Sequence, residues 1–137
     1  MDGLKRVERI GRGTFGEVYK AIDDQVTVAG KETDGQAQDI DEIQQEIRTL
    51  SRCQHPNIIR YRRTVVDRNR LWIVMDYCEM GSVRNILETV GPLPEKAAAF
   101  VGREVLQALS YLHDMNIVHR DIKSANVLLT ADGQVRL

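Results

Sequence analysis

Cysteine is scarce in this sequence and unpatterned. Cys53 and Cys78 are the only two in 137 residues. Neither C-x-x-C spacing nor a histidine cluster accompanies them, which argues against a disulfide framework or zinc site and for two reduced thiols. An excess of either charge is also missing. Nineteen Lys and Arg stand against 20 Asp and Glu, for a formal net charge of -1. Bulk electrostatics therefore call for neither nucleic acid nor an anionic membrane surface as partner. No apolar run approaches the ~20 residues of a membrane-spanning helix. Residues 1–6, MDGLKR, are charged and open no apolar stretch, so no signal peptide is expected. Repeats, low-complexity tracts and Pro/Gly/Ser linkers are absent too. With 42% hydrophobic and 28% charged residues, the composition is that of a soluble globular domain.

The apolar pattern changes in mid-chain. Residues 7–10 lead to a glycine-rich turn, 15–22 run out from it, and 26–31 return after Asp23-Asp24-Gln25. Their alternation predicts an antiparallel meander. Ile40, Ile43, Ile47 and Leu50 then recur at helical steps, with Asp39, Asp41 and Glu42 at the positive N-terminal end. His55-Pro56 stops that helix, because the residue before proline disfavours helical dihedrals. Strands are predicted over 58–66 and 71–77, joined by Asp67-Arg68-Asn69-Arg70. Beyond Gly81 the pattern turns helical. Ser82 suits an N-cap for 83–89, and Gly91-Pro92-Leu93-Pro94 breaks the chain. A long helix is expected over 95–113, with Phe100 or Val101, Val105, Leu109 and Leu112 on one face; Ala97-Ala98-Ala99 needs only helix propensity as its reason. The end reads as a strand over 126–129, a turn at Asp132-Gly133 and a strand over 135–137.

Gly11-x-Gly13-x-x-Gly16 is weak evidence alone, since dinucleotide-binding folds share the spacing. Those folds open a helix after the glycines, whereas a strand-like run follows here. Glycine lets backbone approach phosphate oxygens, with Val18 placed to cover a base; an ordinary glycine hairpin is the competing reading. Val28-Ala29-Gly30-Lys31 puts a lysine on the next strand. A lone strand lysine is ordinarily a solvated residue; only a carboxylate such as Glu46, between the apolar positions Ile43 and Ile47, makes it a phosphate ligand. The specific signal is His119-Arg120-Asp121-Ile122-Lys123-Ser124-Ala125-Asn126. It matches H-R-D-x-x-x-x-N at every fixed position.

These motifs, in this order and with Leu71-Trp72-Ile73-Val74-Met75-Asp76-Tyr77 between them, resemble a eukaryotic-type serine/threonine protein kinase domain. The resemblance covers essentially the whole chain and is most like the germinal-centre branch of the sterile-twenty group. It implies an α+β, protein-kinase-like fold: a five-stranded N-lobe with one main helix, about 1–77, and the start of a helical C-lobe, about 78–137. It implies ATP and Mg2+ as cofactors. The nucleotide would be held by Ile10, Gly11, Gly13, Gly16, Val18, Ala29, Lys31, Glu46, Met75, Asp76, Cys78, Asn126 and Leu128. Met75 would be the gatekeeper, and Asp76, Tyr77 and Cys78 the hinge that hydrogen-bonds adenine. Asp121 would orient the attacking hydroxyl, Lys123 would offset phosphoryl charge, and the Asn126 amide oxygen would take magnesium. His119 is expected to be a scaffold residue. Lys123 is the serine/threonine-type choice. The resemblance further implies cytoplasmic signal transduction with a protein substrate, a kinase of a signalling cascade among the candidates, and no nucleic-acid or membrane partner.

Two departures qualify it. Gly30 stands where the family has valine or isoleucine, which should cost about 1–3 kcal/mol in lost apolar burial and chain entropy. The sequence also ends before the Asp-Phe-Gly of the activation segment, so the chain as written is expected to be inactive alone. The alternative reading is a non-catalytic nucleotide-binding or regulatory module. Arg60, Arg62, Arg63, Arg68 and Arg70 are expected to be a solvated surface split between two sheet faces, and Cys78 an unreactive thiol.

Overall fold

The computed structural model describes residues 3–12, 16–34 and 40–137. Gly13, Phe15 and Asp39 lie outside the described residues. The chain divides into two compact units, one of Met1–Cys53 with Arg60–Tyr77, the other of Gln54–Ile59 with Cys78–Leu137.

The first unit is an antiparallel sheet carrying one helix. Its strands are β1 (Leu4–Arg12), β2 (Gly16–Asp23), β3 (Val26–Asp34), β4 (Tyr61–Asp67) and β5 (Arg70–Asp76), in the order β1-β2-β3-β5-β4. The meander read from alternation is present, with β1 extended by residues on both sides. Leu4, Ala21, Val28, Val65, Trp72 and Val74 form a buried cluster on one face, with Tyr19 packed against it. Gly30 belongs to this face and does not leave the hole its missing side chain would suggest. A Cβ there would stand 2.9 Å from Cε3 and 3.1 Å from Cζ3 of Trp72, so the indole already occupies the space. At Gly16 a Cβ would run into the backbone carbonyl of Glu32, so glycine lets β2 lie against β3. Glu32, also buried on the Trp72 face, is paired with Arg6 at 3.3 Å and with Arg70.

The arginine cluster is solvated as expected, with Arg60, Arg62, Arg68 and Arg70 exposed and Arg63 half-buried, and three of its members also make ion pairs. Arg62 meets Asp76 at 2.6 Å, Arg63 meets Asp23 at 2.6 Å, and Arg70 takes Glu32. Strand 58–66 also begins later than alternation predicts. Ile58 donates to His55 in a turn, Ile59 donates to the Leu137 carbonyl, and Leu137 donates to Asn57. These partners draw 57–59 into the other unit. The helix α1 (Ile40–Arg52) buries Ile43, while Ile40 stays exposed.

The second unit holds β6 (Gly81–Ser82), α2 (Val83–Val90), α3 (Glu95–Asp114), β7 (Leu128–Leu129) and β8 (Val135–Arg136), the strands forming a sheet in the order β6-β7-β8. Ser82 caps α2 through a capping box. Its Oγ accepts from the Asn85 N–H at 3.1 Å, and the Asn85 side-chain oxygen accepts from the Ser82 N–H at 3.0 Å. Val83, Val105, Val127 and Val135 form the core, joined by Leu87, Leu93, Val101, Leu109, Leu129 and Leu137. Val101 rather than Phe100 is therefore the core residue of α3; Phe100 is exposed. Buried Asn57 donates to Glu104 at 2.7 Å and to the Val135 carbonyl at 3.0 Å. The Tyr111 hydroxyl accepts from the Gln54 N–H at 2.8 Å. Asn126, read as the start of a strand, instead ends a 3-10 turn over Ser124–Asn126. Among the described residues, no helix is long and apolar enough to cross a membrane.

Candidate active site

In the first unit the site grows from strand register. Lys31 pairs across the sheet with Val18 and Ile73, and Ala29 with Lys20 and Met75. Register partners share a face, as do residues two apart on a strand. Val18, Ala29, Lys31, Ile73 and Met75 therefore line one face, opposite Trp72 and Gly30. Lys31 is 7% exposed, and a buried ammonium is costly unless paired. Its partner comes from α1: Lys31 Nζ lies 2.8 Å from Glu46 Oε1 and 3.2 Å from Oε2. Glu46 is brought there by the turn of helix that buries Ile43, three residues earlier. Fifteen residues separate the two in sequence, and the helix closes that gap.

Other residues assigned to the nucleotide occupy varied settings. Gly11 pairs with Val18. Ile10, beside a β1 irregularity, is 45% exposed. Asp76 closes β5; its N–H donates to the Arg60 carbonyl at 3.0 Å and its carboxylate takes Arg62. Tyr77 is half-buried, with the Lys20 ammonium 5.3 Å from its ring centroid. In the second unit Cys78 is buried and its carbonyl accepts from the Gly81 N–H. Leu128 is half-buried in β7, paired with Ser82 and Arg136.

The second unit also brings together the residues of the H-R-D-x-x-x-x-N loop. Asn126 Nδ2 donates to the Asp121 carboxylate at 3.0 Å and to its backbone carbonyl at 2.9 Å. Lys123 Nζ stands 3.6 Å from the same carboxylate oxygen. The Asp121 N–H donates to His119 Nδ1 at 3.1 Å. Arg120, at φ 72°, takes the left-handed conformation at the bend between them. His119 is half-buried, and burial pulls its pKa below the ordinary value against the opposing field of Asp121. A neutral imidazole can accept at Nδ1; an imidazolium cannot. The scaffold role expected for His119 thus has a definite form, holding the Asp121 backbone. Asp121 and Lys123 are themselves exposed.

With its Nδ2 turned to Asp121, Asn126 presents Oδ1 as the atom for a hard cation. Among the described residues, no group of three or more His, Cys, Asp or Glu could hold a metal ion. The Asn126 amide oxygen is a hard donor of the kind magnesium accepts. Sequence reasoning missed the tie from Arg62 to Asp76. Its signal is a register irregularity in β4, which depends on the partner strand and is not visible in alternation.

The chain belongs to the protein kinase domain family, whose model matches residues 4–137. It is 44% identical to human "Mitogen-activated protein kinase kinase kinase kinase 3" over 139 residues, covering 99% of this chain and 16% of that protein. It is 42% identical to "Serine/threonine-protein kinase 1" of Arabidopsis thaliana, over 96% of this chain and 16% of the relative. For "Serine/threonine-protein kinase pakH" of Dictyostelium discoideum the identity is 39%, over 95% of this chain and 26% of the relative. The chain thus spans between about a sixth and a quarter of the length of these relatives.

Proposed function

We propose that the protein carrying this domain transfers the γ-phosphoryl group of MgATP to serine or threonine hydroxyls of a protein. The Lys31–Glu46 ion pair carries this reading, because it spends a buried lysine and a helix carboxylate on a fixed ammonium beside the glycine-flanked strand β2. Lys31 would engage the α- and β-phosphates, which the glycines Gly11, Gly13 and Gly16 would let backbone approach. Val18, Ala29 and Met75 would cover the base, with Ile10 at its rim and the backbone of Asp76 to Cys78 reading its edge. Asp121 would orient the attacking hydroxyl and Lys123 would offset charge on the transferred group. Asn126 would hold magnesium, which when bound neutralises phosphate charge. Serine and threonine as acceptors are supported by Lys123 and by the names of the relatives, and a kinase as substrate by the cascade that one of those names spells out. Buried, reduced Cys53 and Cys78 suit a cytoplasmic setting.

The test is nucleotide binding by the intact protein. MgATP should bind measurably by calorimetry, and Lys31→Met should weaken it at least about tenfold, the loss of one charge-assisted phosphate contact. Unchanged affinity in Lys31→Met would remove the basis for the reading.

A further inference from the structure

The β4–β5 ladder contains one extra residue. Tyr61 pairs with Met75 and Arg63 with Val74, leaving Arg62 unmatched between them. Such a bulge bends the strand and re-aims a side chain. Here the guanidinium Nε of Arg62 donates to Asp76 Oδ1 at 2.6 Å. Asp76 is the last residue of β5, and it is held in two further ways. Its N–H donates to Arg60, the residue just before β4, and across the sheet it pairs with Val28. The carboxylate is 22% exposed, less than the guanidinium at 37%. So the point where the chain leaves the sheet for Tyr77 and Cys78 is tied through both backbone and side chain.

We infer that Arg62 is a positioning residue for nucleotide binding: from its bulge it fixes Asp76 and thereby the backbone groups of 76–78 that read the adenine edge. The inference rests on the nucleotide reading above, and Arg62 acts through Asp76 without touching the ligand. Losing the tie weakens the hold on the Asp76 side chain and on the peptide that follows it. Free enzyme then pays an ordering cost on binding. That cost falls on ATP affinity and not on the chemical step, since Asp121 and Lys123 are untouched.

The experiment measures the KM for ATP, kcat and the MgADP Kd of the intact protein with Arg62→Ala, Arg62→Gln and Arg62→Lys. Exposed ion pairs of this kind predict a rise of about two- to fivefold in KM and Kd for Ala and Gln, with kcat unchanged. Lysine should recover part of the loss, having the charge but not the planar donor. High salt should narrow the gap by weakening the wild type. A fall in melting temperature with KM and Kd unchanged would overturn the inference by showing a purely structural tie. An effect confined to kcat would overturn it as well. A wild-type protein that binds neither MgATP nor MgADP would overturn the nucleotide reading and this inference together. Tight wild-type binding with Arg62→Ala unchanged would overturn this inference alone.

Discussion

At Gly30 the expectation from strand propensity and the expectation from packing have opposite signs. Valine favours a strand over glycine, and a kinase-like sequence would carry an apolar residue there. Yet the Trp72 indole fills the position, with the Tyr19 ring 5.7 Å away, centroid to centroid. Gly30→Val should therefore destabilise by about 1–3 kcal/mol through overpacking, and Trp72→Leu added to it should return part of that loss. Urea unfolding of both variants checks the coupling; a stabilised Gly30→Val would show that the indole moves aside. His119 offers a second test. Burial holds its pKa below the ordinary 6.5, so between the two values the unfolded chain binds more protons than the folded one. The stability it contributes is complete above the ordinary value and is lost as pH falls through the folded pKa. Protonation also removes the acceptor for the Asp121 N–H. An NMR titration should give a midpoint for His119 below 6.5, with the Asp121 amide resonance moving in step. A midpoint above 6.5 would contradict the buried, accepting imidazole.

The elements were legible in the sequence in proportion to how local their causes are. Helix α3 was expected over 95–113 and runs Glu95–Asp114, because helical periodicity and a proline-rich start act within the segment itself. Ser82 was read as the cap of α2, and the structure adds its reciprocal partner Asn85. Ser82→Ala should cost about 1 kcal/mol by removing the side-chain acceptor for the Asn85 N–H. Thermal unfolding of this variant beside Ser82→Thr, which keeps the hydroxyl, separates the cap from simple volume loss; equal melting temperatures for wild type and Ser82→Ala would show the cap to be idle. What could not be read locally was set by distant partners. Ile58 and Ile59 look like the start of a strand, but Ile59 bonds to Leu137, and neighbouring Asn57 to Leu137 and α3. The bulge at Arg62 exists only relative to β5. The Lys31–Glu46 pair was accessible because both sites carried a periodic signal, with Glu46 among apolar helix positions and Lys31 on an alternating strand.

At the scale of the whole molecule, near-neutral net charge hides a specific arrangement of charge. One buried ammonium is matched by a helix carboxylate in the first unit, and an exposed carboxylate is held by Asn126 and Lys123 in the second. Together with membership of the protein kinase family, these two clusters make Ser/Thr phosphoryl transfer the central claim. The most direct measurement is transfer of γ-phosphate from radiolabelled ATP to a general protein substrate by the intact protein, followed by phosphoamino-acid analysis. The account predicts phosphoserine and phosphothreonine but no phosphotyrosine. It also predicts a fall of roughly 10²–10⁴-fold in Asp121→Asn, the usual worth of a group that orients and accepts the proton, with MgATP binding retained. Label on tyrosine alone, or transfer undiminished in Asp121→Asn, would contradict it.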